Sequence, residues 1–128
     1  MKKFSEIEYV RPDMVAEQER IKEYTEALKG VRSYEELRGL FMEEKEREDI
    51  WATMAEVAQV RYTVDTRDSF YEGEVQFWNE TIPMMHLLIQ KAEKVILESP
   101  FIKQFAEEFG DFFVKNMEVG QKLADDCI

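Results

Sequence analysis

Met14, Ile21 and Leu28 fall seven residues apart with Tyr24 between them, so they share one face of a helix. Pro12 followed by Asp13 opens that helix, with Asp13 as its N-cap, and Gly30 ends it. Met1 to Arg11 read as an extended lead-in. Ser33-Tyr34-Glu35-Glu36 has capping-box spacing: Ser33 accepts from the first turn and Glu36 reaches back, which starts a second helix. Its apolar stripe runs through Leu37, Leu40 and Phe41 and resumes at Trp51, Met54, Ala55, Ala58 and Tyr62. Between the two parts lies an unbroken charged run, Glu43 to Asp49. The run holds no Gly or Pro and consists mostly of good helix formers. It is therefore read as a solvated stretch of one continuous helix rather than a break between two.

Asp65-Thr66-Arg67-Asp68 reads as a tight turn, with Thr66 or Asp68 capping the next helix. That third helix carries the strongest pattern: Tyr71, Val75, Trp78, Ile82, Met85, Ile89, Ala92 and Ile96 are spaced 4-3-4-3-4-3-4. Phe70, Phe77, Met84, Leu88 and Val95 widen the seam to a face that needs more than one neighbour to cover it. Pro83 removes one helical hydrogen bond near Asn79 and is expected to kink the helix. Ser99-Pro100 reads as a cap followed by proline at the first helical position, and Phe101, Phe105 and Phe109 then recur every four residues up to Gly110. The last segment, from Asp111 to Ile128, is expected to place Phe112, Phe113, Met117 and Leu123 on one helical face. It stops at Asp125-Asp126-Cys127-Ile128 with no helix-terminating signal, which is expected of a chain cut from a longer protein.

Short loops between long helices imply antiparallel neighbours. The expected fold is all-α, an antiparallel bundle of about five helices with a long central helical hairpin, formed by a single helical domain over residues 1–128. Composition supports this reading. The chain has 45% hydrophobic and 35% charged residues, which suits amphipathic helices with solvated outer faces. Five Gly and three Pro are too few for the many turns of a sandwich or barrel.

Acidic residues outnumber basic ones by 28 to 17, a net charge of −11. Nucleic acid and anionic membrane surfaces are excluded as partners, because both are bound through Lys and Arg. A basic partner or peptide remains open to electrostatic steering. No run of about 20 apolar residues suits a membrane span, no apolar stretch follows Met1-Lys2-Lys3 as in a signal peptide, and the single cysteine, Cys127, permits no internal disulfide. These features lead to the expectation of a cytoplasmic protein.

Candidate chemistry is sparse. A zinc peptidase needs two imidazoles from His-Glu-x-x-His and a further ligand, and this chain has one histidine, His86. A di-iron bundle needs Glu-x-x-His turns, and Pro83 stands three before His86. His86 is read as structural or surface. Cys127 has no histidine near it in sequence for a nucleophilic role. Asp65 with Asp68, and Asp125 with Asp126, read as capping and solvation, and the former stretch lacks the central Gly of a calcium loop. Arg61 and Asp65, four apart, read as an ion pair across one helical turn. Met84 and Met85 could line a groove for apolar side chains, but on the densest apolar face they read as core.

Several blocks carry a family resemblance. Tyr9-Val10-Arg11-Pro12-Asp13 opens the chain. Thr53-Met54-Ala55 precedes the most specific block, Arg61-Tyr62-Thr63-Val64-Asp65-Thr66-Arg67-Asp68-Ser69-Phe70-Tyr71. Asn79-Glu80-Thr81-Ile82-Pro83 and Leu97-Glu98-Ser99-Pro100-Phe101 follow in order. With these blocks the sequence resembles the oligoendopeptidase F family, relatives of thimet oligopeptidase, in its N-terminal helical region. The resemblance implies a zinc metallopeptidase that hydrolyses oligopeptides. In such enzymes zinc polarises the scissile carbonyl and the motif glutamate activates a water, while the N-terminal helices wall a deep channel. The zinc motif is missing here, so no catalytic, cofactor-binding or metal residue is carried over and the chain alone is expected to be inactive.

The expected partners are the missing catalytic portion of a parent peptidase, or a second copy docking through exposed apolar helix faces, with oligopeptides as a further candidate. The alternative is a stand-alone helical module that binds a peptide or protein without catalysis. A helical metal or cofactor bundle is a third and weaker reading, opposed by the single histidine.

Overall fold

The computed structural model of the chain describes residues 6–126. They form five α-helices: α1 (Met14–Lys29), α2 (Tyr34–Val64), α3 (Ser69–Glu98), α4 (Ile102–Phe109) and α5 (Asp111–Asp126). No strand occurs among the described residues, so the fold is all-α as expected. The first three helices start where side-chain oxygens meet orphan backbone donors. Asp13 accepts from the Ala16 N–H at 3.1 Å, Ser33 from that of Glu36 at 3.2 Å, and Asp68 from those of Phe70 and Tyr71 at 2.9 and 3.3 Å. Glu36 reaches back to the Arg32 N–H at 3.0 Å, one residue beyond the cap.

α2 continues through the charged run, and the turn at Asp65–Asp68 folds α3 back against it as a long hairpin. α3 is the central helix, packing against α1, α2, α4 and α5. It runs unbroken through Pro83, whose ring cannot donate to the Asn79 carbonyl. Two apolar clusters fill the bundle. At one end Leu28, Leu37, Phe41, Ala92, Ile96, Phe105, Val114 and Met117 are buried together. At the other, Met14, Ile21, Trp51, Ala58, Trp78 and Met85 are.

Three sequence expectations need correction. The helix after Ser99-Pro100 starts later than the cap pattern suggests: Ser99 ends α3, its hydroxyl accepts from the Phe101 N–H at 3.0 Å, and α4 begins at Ile102. The buried face of α5 is Val114 with Met117, flanked by half-buried Phe113, whereas Phe112 and Leu123 are 77% and 59% exposed. A helix of this composition offers two apolar faces, and the packing of α5 on α3 and α4 selects one. Finally, the run from Glu43 to Asp49 is not wholly solvated. Glu44 is 3% exposed and Glu48 half-buried, because the stripe 41-44-48-51-55-58 keeps helical spacing straight through the charges.

Candidate functional site

The lead-in is pinned across the hairpin by charge-assisted bonds. The Tyr9 hydroxyl donates to Glu74 Oε1 at 2.6 Å and accepts from Trp78 Nε1 at 3.0 Å. Arg11 Nε donates to the same Glu74 oxygen at 3.0 Å, its Nη2 donates to the other, and the guanidinium lies 3.9 Å from the Phe77 ring centroid. The Arg11 guanidinium, assisted by Tyr9, holds the Glu74 carboxyl below the usual carboxylate range against its burial. Burial and the bond to Glu74 push the Tyr9 hydroxyl up to about 12. Arg61 Nη1 donates to the Tyr71 hydroxyl at 2.8 Å and its Nη2 to the Ile7 carbonyl. The expected Arg61–Asp65 ion pair is therefore not formed. Asp65 instead accepts from the backbone N–H and the Nε of Arg67, at 3.0 and 3.2 Å. Long-range partners for Arg61 outweigh a local pair worth only a few tenths of a kcal/mol.

Beside this clamp an open groove of about 760 Å³ runs between α2 and α3 and reaches Asn116 and Gly120 of α5. Trp51 and Trp78 stack at 6.4 Å with 15° between their planes, and half-buried Val75, Ile82 and Ile89 extend the apolar wall. The two indoles differ: Trp78 donates to Tyr9, whereas the buried N–H of Trp51 has no acceptor. Most of the ionisable lining is acidic, with Glu48, Asp49, Glu56 and Glu93 around Lys45. Burial, then a hydrogen bond with Glu44, pushes the Glu48 carboxyl up to about 8, opposed by Lys45 at 3.4 Å. Burial raises Glu93 as well. Behind the groove Glu44 receives Arg20, and Glu17 is gripped by Arg20 at 2.6 Å and Arg47 at 2.6 Å.

The residues singled out from the sequence do not converge. His86 is an exposed side chain on the groove rim. Met85 is fully buried, but Met84 is 42% exposed, contrary to its reading as core: the two neighbours point to different sides of α3. Asp68 caps α3, Asp65 shapes the turn, and Asp125 and Asp126 are exposed in the last turn of α5. Cys127 lies outside the described residues. Among the described residues no three His, Cys, Asp or Glu side chains group as metal ligands, so these residues do not fit a zinc centre. No helix among them is long and apolar enough to cross a membrane. Sequence reasoning missed Glu48, Glu93 and the Trp51–Trp78 pair. The first had a signal, since Glu44 and Glu48 interrupt an apolar stripe at core spacing.

The described residues thus form an all-helical bundle with an open groove between α2, α3 and α5. The sequence matches the model of the peptidase M3 N-terminal domain over residues 4–124, and the chain belongs to that family. Two solved structures are similar. A PZ peptidase A bound to an inhibitor shares 27% identity at a TM-score of 0.89, over 94% of this chain and 21% of its own. A chain assigned as an oligoendopeptidase F shares 28% at a TM-score of 0.90, over 95% of this chain and 22% of its own. The chain thus spans about a fifth of these peptidases' length. None of the curated proteins matches the sequence.

Proposed function

We propose that this chain serves as the non-catalytic N-terminal helical part of an oligoendopeptidase F-like zinc metallopeptidase, and that the groove between α2 and α3 faces the oligopeptide channel. The observation that carries the reading is the family match over residues 4–124, joined to solved peptidases that continue well beyond the region shared with this chain. The groove supports the finer part, being open and bordered by half-buried Val75, Ile82 and Ile89. Exposed Phe112, Val119 and Leu123 share one side of α5 and offer a surface on which a catalytic portion or a second copy would pack. The test is a peptidase assay on a quenched-fluorescent oligopeptide, with this chain alone and co-expressed with the catalytic portion of a related peptidase. No turnover is expected from the short chain, and turnover is expected from the pair. Hydrolysis by the short chain alone would overturn the proposal.

A stand-alone peptide-binding role is the second reading. The two buried clusters favour it, since they give the chain a core of its own. A stable complex between the chain and a protein unrelated to peptidases would support it.

A further inference from the structure

We infer that a separate groove, between α1 and α3, docks an acidic amphipathic helix of a partner protein, its apolar stripe on the groove floor and its flanking carboxylates against the lysines of both rims. The inference goes beyond the reading of the chain as part of a peptidase. It concerns another face of the bundle, since this groove shares no lining residue with the one between α2 and α3.

The floor follows from spacing. Ile21 shares a buried cluster with Met85, and Leu28 shares the other with Ala92 and Ile96, so α1 and α3 run parallel. Between them lies an open cavity of about 580 Å³, lined on its apolar side by buried Ile21 and half-buried Leu88 and Val95. Leu88 and Val95 stand seven residues apart, and Met84 and Leu87, 42% and 52% exposed, extend the same face of α3 by a further turn. They make a second apolar seam beside the buried one through Met85, Ala92 and Ile96. A seam of that spacing, set between two parallel helices, is what a third helix packs into. The sides of helices offer no free backbone groups, so an extended strand gains no hydrogen bonds there.

Charge then names the partner. Acidic residues outnumber basic ones by 28 to 17 in the chain, yet four lysines and two glutamates line this groove. Lys22 and Lys29, again seven apart, form the α1 rim, and Lys91 and Lys94 the α3 rim. Lys22 and Lys29 make exposed pairs within α1, to Glu19 at 3.4 Å and Glu26 at 2.8 Å, which hold them weakly. Lys91 and Lys94 have no ion-pair partner among the described residues. Charges flanking an apolar seam select the helix that packs on it, and lysine on both rims selects glutamate or aspartate. A small anion would meet the lysines but leave Met84, Leu87 and Leu88 uncovered.

The probes are dye-labelled three-heptad peptides with leucine at the seam positions and either glutamate or glutamine at the flanking ones. Their fluorescence anisotropy is followed as the 128-residue chain is added. The glutamate peptide is expected to bind on the order of tenfold more tightly than the glutamine peptide. Lys91→Gln combined with Lys94→Gln should remove most of that preference, with folding checked by circular dichroism. Lys103→Gln combined with Lys115→Gln, both exposed and outside the groove, should leave it intact. Equal affinities, a preference that survives the loss of Lys91 and Lys94, or no binding by either peptide would overturn the inference. So would a dimer of the chain in light scattering that the Lys91 and Lys94 substitutions dissolve, because the groove would then belong to a second copy.

Discussion

The two ends of this bundle are held by different physics. Around Phe105 the rings of Phe41, Phe109 and Phe113 meet at centroid distances of 5.0, 4.7 and 6.0 Å, and the polar links from Tyr34 and Arg38 of α2 to Glu108 of α4 lie outside this ring cluster, on the exposed side. Around Trp78 the apolar core is smaller and its margin is tied down by Tyr9, Arg11, Glu74 and Arg61. One end is filled by packed rings, whereas the other borders the groove between α2 and α3. Packing that is non-directional suffices where nothing must enter. At the other end a directional bond to Tyr9 satisfies the indole N–H of the buried Trp78, beside the groove.

Mutation at each end can break this contrast. Phe105 is fully buried, and Phe105→Ala is expected to cost about 4 kcal/mol in urea unfolding, from lost transfer energy and the cavity left behind. Glu74→Ala strands Arg11 and the Tyr9 hydroxyl but leaves them water to bind, so the loss should be smaller, about 2 kcal/mol by the same measurement. A larger loss at Glu74 than at Phe105 would mean that the clamp, and not the ring cluster, dominates the fold.

The third prediction concerns the carboxylates lying between the two ends. Glu48 titrates near 8 in the folded chain, against 4.5 ordinarily. Between those values the folded state keeps a proton that the unfolded state has released, so stability contributed by this group is full below about pH 4.5 and falls as pH rises towards 8. Glu93 is raised and acts in the same sense. Glu74 is lowered, so its contribution is present above the ordinary carboxylate range and lost on acidification. Glu48→Gln is therefore expected to raise stability by on the order of 1 kcal/mol at pH 8 and to leave it unchanged at pH 4, read from thermal melts across that range. An identical gain at both pH values would assign the effect to packing instead of ionisation.

The helices were largely legible because their starts are local chemistry. Asp13, Ser33 and Asp68 act on N–H groups within three residues of themselves, and no distant partner is required to recognise them. The seam of α3 was legible for Trp78, Met85, Ala92 and Ile96, which are buried, whereas Val75, Ile82 and Ile89 at the same spacing border the groove. Spacing identifies a face but not which part of it a neighbour covers. The groove was illegible for that reason, and Glu44 and Glu48 were hidden because a carboxylate reads as solvated until its arginine or its burial is seen. Arg61 was misassigned because its partners, Tyr71 and the Ile7 carbonyl, come from elements that only tertiary structure brings together.

The same clamp has a consequence for the order of assembly. Its bonds join residues 63 to 69 positions apart, from Tyr9 and Arg11 to Glu74 and Trp78, while the hairpin turn and the helical caps close over a few residues. Ordering so long an intervening loop costs entropy that nearby contacts do not have to meet. The lead-in therefore docks after the α2–α3 hairpin is in place, and weakening it accelerates unfolding while leaving the refolding rate nearly untouched.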